Sequence, residues 1–150
     1  MPVWIGIAFG WAVAICAMWK GGWSERVAAA AFLIAWVATS LARDHRWIGP
    51  QWGGFVIDIL FLAALLFVAF RSRRYWPLFA AGFQLLAVLT HLARIIDPNV
   101  HNWAYITAGV IWTYLTLFSI ALGTYNRWRE PGQPVAKDVP AAAGPGATRR

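Results

Sequence analysis

The sequence predicts an all-α integral membrane protein, a bundle of five transmembrane helices joined by short loops. Five long apolar stretches fill most of the 150 residues, 60% of the residues are hydrophobic and only 13% are charged. A water-soluble domain needs more charge than this to cover its surface. A bilayer core about 30 Å thick is crossed by roughly 20 residues of helix, which is close to the length of these stretches.

The predicted helices cover residues 3–19, 27–42, 52–70, 76–96 and 103–125. The first begins without a lysine or arginine and is not followed by a small-residue cleavage site. We therefore interpret it as a retained helix rather than a cleaved signal. The second is short for a span, since Glu25 and Arg26 precede it. We expect the bilayer to be thin there or the helix to be tilted.

The last three helices have recognisable boundaries. The third begins near Gly53 and carries Asp58 in its first half. The fourth has Pro77 in its first turn, where the missing N–H costs little, and it ends before Pro98, which disfavours helix in the preceding residue. The fifth carries a stripe of small residues that includes Gly109 and favours close helix packing.

The chain after the fifth helix has a different composition. From Pro131 it is rich in proline, glycine and alanine without an apolar period, which is typical of disorder. We expect a five-helix transmembrane domain over 1–126 and a disordered basic cytoplasmic tail over 127–150. The single cysteine, Cys16, excludes an intrachain disulfide and makes a cysteine-based metal site improbable.

The distribution of positive charge predicts the orientation. With five spans the connections alternate, and only Arg43, Arg46 and Arg94 of the 13 lysines and arginines fall on the side of the N-terminus. Because positive residues stay cytoplasmic, the N-terminus is expected outside and the C-terminus inside. The same topology explains the net charge of +7, so no nucleic-acid partner is implied.

Charged residues inside a span are costly, so each needs an explanation. The predicted polar intramembrane cluster consists of Asp58, Gln84, His91, Arg94 and Asp97. Asp58 and His91 both lie about 9 Å below the outer boundary, and Arg94 about 4–5 Å below it, at 1.5 Å of rise per residue. The third and fourth helices are joined by a short turn and should be neighbours.

Two interpretations of this cluster remain open. The simpler one is a structural lock, in which Asp58 and Arg94 form an ion pair, His91 bonds to one of them, and His45 and His101 are solvated loop residues. The functional one makes these residues part of a metal site, a b-type haem site, or a proton or quinone relay. No HxxxH, HExxH or cysteine pair is present, and only His91 lies inside a span. We therefore assign no metal and no cofactor.

The stretch RYWPLFAAGFQLLAVLTHLARIID, residues 74–97, followed by NWAYITAGVIW, resembles small uncharacterised multi-span inner-membrane proteins of proteobacteria. The resemblance covers the last two helices. It implies a location in the bacterial inner membrane, and no catalytic residue is carried over from it.

Three functions follow from these observations. The first is a non-enzymatic interaction or assembly component of a membrane complex, whose partners are the lipid bilayer, other membrane proteins or a second copy of the chain. The second is a small permease or an ion or proton pathway that uses Asp58, His91 and Arg94. The third is a haem- or quinone-linked electron-transfer subunit. We expect no enzymatic activity, because no nucleophile and base stand at a usable spacing.

Overall fold

The computed structural model describes residues 3–42, 51–97 and 99–129, and all the regular structure in these ranges is helical. The prediction of five helices is confirmed: α1 (Val3–Lys20), α2 (Trp23–Ala42), α3 (Trp52–Arg71), α4 (Trp76–Ile96) and α5 (Asn102–Arg129). Helices α2 to α5 are long and apolar enough to cross a membrane, whereas the apolar part of α1, Gly6–Lys20, is shorter. The predicted disordered tail after residue 129 and the turn that carries His45 lie outside the described residues.

Two helix boundaries differ from the prediction. Helix α2 begins at Trp23 rather than near residue 27, so its first turn contains Ser24, Glu25 and Arg26. Helix α5 continues to Arg129, past the domain boundary expected at 126. Both differences involve polar residues, which a search for apolar stretches excludes from a span although they extend the same helix.

The five helices form a closed ring. Each helix packs against the next one along the chain, α5 closes the ring against α1, and α2 also contacts α5 across the centre. The short α1–α2, α3–α4 and α4–α5 connections make these neighbours antiparallel. The N-terminal end of α3, the C-terminal end of α4 and the N-terminal end of α5 therefore lie at the same end of the bundle.

The half of the bundle that contains Trp76 and Gly123 is here called the packed half, and its core consists of small residues and a few branched ones. Gly123 lies against the ring of Trp76, since a Cβ atom at Gly123 would be 2.6 Å from that ring. Such close approaches replace the hydrophobic drive that is absent between helices in lipid. The most deeply buried core residues here are at most 1% exposed: Ala14, Ala17, Ala28, Ala29, Leu65, Val68, Ala80 and Ile120.

A buried carboxylate lies at the end of the packed half. Glu25 is 1% exposed, and its Oε1 accepts a hydrogen bond of 3.1 Å from the indole Nε1 of Trp76. Its Oε2 accepts a second bond of 2.9 Å from the hydroxyl of Ser24. The turn between α1 and α2 is closely packed on this group, because a Cβ atom at Gly21 would lie 2.6 Å from the Cβ of Glu25.

Candidate functional site

The other half of the bundle encloses a cavity of about 560 Å³, here called the central cavity. Residues of all five helices line it, from Tyr105 near one end of the bundle to Leu117 near its middle. These two positions are about 18 Å apart along α5 at 1.5 Å per residue. The volume lies within the range of roughly 300–1,000 Å³ that is typical of small-molecule sites.

Three polar side chains from three helices form a hydrogen-bonded chain in this cavity. The Nε2 atom of His91 in α4 lies 3.0 Å from Oδ2 of Asp58 in α3. The Nδ1 atom of the same ring lies 2.9 Å from the hydroxyl of Tyr105 in α5. Both ring nitrogens of His91 therefore have partners, which fixes the plane and position of the imidazole. If Tyr105 donates to Nδ1, Nε2 carries the hydrogen and donates to the carboxylate.

The residues next to the Asp58–His91–Tyr105 hydrogen-bonded chain leave room for the imidazole and pack against it. Gly54 allows the close approach of α3 to α4, since a Cβ atom there would lie 3.2 Å from Cε1 of His91. The ring of Phe55 packs on the imidazole with centroids 5.9 Å apart, and Tyr105 meets it edge-on at 5.4 Å. His91 is consequently only 15% exposed, while Asp58 is 26% exposed.

Deeper in the cavity lies a polar atom without a partner. Thr116 is 1% exposed, and its hydroxyl makes no hydrogen bond within the described residues. The neighbouring Thr113 and Thr124 on the same helix donate to the carbonyl four residues earlier, the usual partner of a helical threonine. Thr116 is one of the residues that line the cavity, and a molecule that reached its hydroxyl would satisfy this otherwise costly buried group.

The amide of Gln84 completes the polar lining. Gln84 is 4% exposed, and its Nε2 donates a long bond of 3.4 Å to the backbone carbonyl of Asp58. Gln84 and His91 are seven residues apart and so lie on one face of α4, and both line the central cavity.

The structure corrects the expected ion pair between Asp58 and Arg94. In the described part of the chain the side-chain partner of Asp58 is the imidazole of His91. The guanidinium of Arg94 donates to the carbonyl of Val100 and to Oδ1 of Asn102, and it lies 5.8 Å from the ring centroid of Tyr105. Arg94 is nearer to the end of α4, and its long side chain extends toward the α4–α5 turn, where carbonyl and amide oxygens are available.

The remaining residues of the predicted cluster lie away from the cavity. Asp97 ends α4 and is exposed, and its Oδ1 accepts a bond of 2.9 Å from the backbone N–H of Asn99. His101 is exposed directly before α5, and its carbonyl accepts from the N–H of Tyr105. His45, the other possible ligand-side residue, lies outside the described residues. The described ranges hold no group of three or more His, Cys, Asp or Glu residues that is arranged to bind a metal ion.

Three tryptophans in the middle of the helices have different surroundings. Trp112 connects α5 to α4, since its Nε1 donates a bond of 3.1 Å to the hydroxyl of Thr90. Trp11 and Trp36 line the central cavity and pack edge-to-face with ring centroids 6.2 Å apart. Trp112 therefore joins two helices, whereas Trp11 and Trp36 form part of the cavity wall.

Sequence reasoning missed Tyr105, Thr116 and the cavity itself. Tyr105 could have been found, because it lies one helical turn inside α5 and therefore at the depth of Arg94 from the same boundary. Thr116 carried no such signal, since threonine is common in membrane helices and usually bonds to its own backbone. The family-model, curated-protein and solved-structure comparisons found no match to this chain.

Proposed function

We propose that this chain is a multi-pass membrane protein that binds a small amphipathic molecule in its central cavity. The chain would cross the inner membrane five times, with its N-terminus outside and its C-terminus in the cytoplasm, so that the cavity lies in the outer half of the bilayer. The observation that carries the proposal is the cavity itself, which combines apolar walls with the Asp58–His91–Tyr105 chain near one end and the unpartnered hydroxyl of Thr116 deeper inside.

The packing of the other half favours a binding site over an open pathway. In the packed half, beyond Leu117, the helices are in close contact, and the side chains of Leu65, Val68 and Ile120 are at most 1% exposed. A continuous route for an ion would need open space along this half. In this conformation a ligand can reach the middle of the bundle but cannot pass it.

The assignment of an interaction or assembly component stays a prediction from the sequence. A bound small molecule is compatible with that role, because a ligand that changes the packing of α1 and α5 also changes the surface that a partner contacts. The cavity is a specific structural observation in favour of ligand binding, and the described residues offer none of that kind for an assembly role. We therefore propose ligand binding.

Two glycines allow a matched test of the binding site. A Cβ atom at Gly109 or at Gly82 would meet no atom within 4 Å, but Gly109 lines the central cavity whereas Gly82 is on the exposed face of α4. The change Gly109→Leu should therefore place a side chain in the cavity, and Gly82→Leu should place one in the surrounding lipid or detergent.

The probe is dimethylaminostyrylpyridine, an uncharged fluorophore whose emission depends on polarity. We expect saturable binding to the purified protein above the signal of empty micelles, loss of that binding in Gly109→Leu, and retention in Gly82→Leu. Thermal unfolding of both variants checks that they are folded. Equal binding by the two variants, or no saturable binding to the wild-type protein, would exclude the central cavity as a site for molecules of this kind.

The orientation is tested separately with reporter fusions. The end of the bundle formed by the packed half carries basic residues that include Lys20, Arg26, Arg71 and Arg74, and positive charge favours the cytoplasmic side. A C-terminal reporter that is active only in the cytoplasm should therefore be active, and one that is active only in the periplasm should be silent. The reverse pattern would invert the topology and place the cavity in the cytoplasmic half of the bilayer.

A further inference from the structure

We infer that the central cavity selects an organic cation, an amphipathic molecule with an ammonium or pyridinium group. This inference rests on the proposed function and names the class of ligand. Its basis is the charge of the lining, since Asp58 supplies a carboxylate and the described part of the chain contributes no lysine or arginine to the cavity walls.

The carboxylate has capacity for a second partner. Oδ2 of Asp58 is paired with His91, and the described residues donate no hydrogen bond to Oδ1. When His91 is neutral, the chain of Asp58, His91 and Tyr105 has a net charge of −1. An uncompensated charge at this depth in a membrane protein is costly, and a bound cation would offset it.

Among the described residues, Arg94 does not pair with this carboxylate. The guanidinium of Arg94 donates to Val100 and Asn102 at the α4–α5 turn and lies 5.8 Å from the ring centroid of Tyr105, and Arg94 is not among the residues that line the cavity. In the part of the chain that the structure describes, the cavity walls therefore hold one carboxylate, and Arg94 outside them is already hydrogen-bonded.

The walls provide a second interaction that favours cations. Six aromatic side chains line the cavity, and they include the edge-to-face pair Trp11–Trp36 and the tilted pair Phe32–Phe61, whose centroids are 6.1 Å apart. The faces of such rings attract organic cations electrostatically, and aromatic side chains are the usual recognition groups for quaternary ammonium ligands. An inorganic cation would lose its water without gaining enough oxygen ligands here. The six aromatic lining residues are Trp11, Phe32, Trp36, Phe61, Tyr105 and Tyr114.

The test compares two probes of nearly the same shape. Dimethylaminostyrylpyridine is uncharged at mildly alkaline pH, and its N-methylpyridinium derivative carries a permanent positive charge. Binding of each probe is measured by fluorescence titration of the full-length protein in detergent. We expect the cation to bind about tenfold more tightly than the uncharged parent, which is the order expected for a charge pair at a partly exposed site.

The variant Asp58→Asn should abolish this preference, because binding of the cation weakens about tenfold more than binding of the uncharged parent. A cooperative thermal unfolding transition shows that the variant is folded. The control is Asp97→Asn, which removes a carboxylate from the same end of the bundle but outside the cavity, and it should keep the wild-type preference.

The outcomes separate this inference from the proposed function. If both probes bind equally and both are lost in Gly109→Leu, the cavity is a binding site but the choice of a cation is wrong. If the preference survives in Asp58→Asn, its source is not this carboxylate and the inference is again wrong. If neither probe binds the wild-type protein, the proposed function and this inference are both rejected.

Discussion

The carboxylate of Glu25 in α2 accepts a hydrogen bond from the indole of Trp76 in α4, with Oε1 and Nε1 3.1 Å apart. The two residues are 51 positions apart in the chain, and both are buried. Helix α3 lies between α2 and α4 in the ring, so this bond joins two helices whose backbones do not pack against each other. It explains how a carboxylate can be accommodated in the first turn of an apolar helix.

This relationship predicts that an amide, but not an alkyl group, can replace Glu25. In Glu25→Gln the side-chain oxygen can still accept from Trp76, so we expect a change in unfolding free energy of less than about 1 kcal/mol. In Glu25→Leu the buried indole N–H and the hydroxyl of Ser24 lose their acceptor, and we expect a loss of about 1–3 kcal/mol. Reversible unfolding in mixed SDS micelles measures both values. Equal stability of the two variants would contradict a hydrogen-bonding role.

A second prediction concerns the partner of Asp58. The distance of 3.0 Å to His91 predicts that the effects of Asp58→Asn and His91→Gln on stability are not additive, with a coupling of about 0.5–2 kcal/mol. The effects of Asp58→Asn and Arg94→Gln should add to within about 0.5 kcal/mol, because Arg94 is bonded to Val100 and Asn102 instead. Non-additivity that appears only in the pair with Arg94 would restore the ion pair expected from the sequence.

A third prediction tests the close approach of α5 to α4. A Cβ atom at Gly123 would lie 2.6 Å from the ring of Trp76, a large and buried side chain that also holds Glu25. We expect Gly123→Ala to lower the unfolding free energy by about 1–3 kcal/mol through overpacking.

The matched control is Gly82→Ala, where a Cβ atom would have no neighbour within 4 Å. There the added methyl group should leave stability unchanged or raise it by up to about 1 kcal/mol, because alanine is the better helix former. The same loss at both positions would show that the effect at Gly123 does not come from its contact with Trp76.

The sequence predicted the helices well because the signal for each one is local. The apolar stretches of α3 and α4 are bounded by tryptophans and charged residues, and their predicted bounds agree with the structure to within one residue. The start of α2 was missed because Ser24, Glu25 and Arg26 look like a loop. What stabilises Glu25 inside the helix is Trp76, and no local pattern reports such a distant partner.

The candidate site was predictable only in part. Counting residues from a common boundary placed Asp58 and His91 at one depth, and the structure brings them into contact. The same count could not choose between His91 and Arg94 as the partner of Asp58, since that depends on side-chain rotamers and on the α4–α5 turn. The cavity arises from the packing of five helices together, so no single helix carries a pattern for it.

The fourth prediction concerns the unpartnered hydroxyl of Thr116. Valine has nearly the same shape as threonine and lacks the hydroxyl, so Thr116→Val removes a buried polar group that makes no bond in the described part of the chain. We expect the variant without ligand to be more stable than the wild-type protein by about 1–2 kcal/mol. The control is Thr124→Val on the same helix, whose hydroxyl donates a bond of 2.9 Å to the carbonyl of Ile120, and its stability should fall or stay unchanged.

If the hydroxyl of Thr116 contacts the bound molecule, the affinity for a probe with a hydrogen-bonding group should fall in Thr116→Val although the protein itself is more stable. A variant that is destabilised as much as Thr124→Val would show that Thr116 has a partner in the free protein, and the cavity would then lose its deepest polar contact.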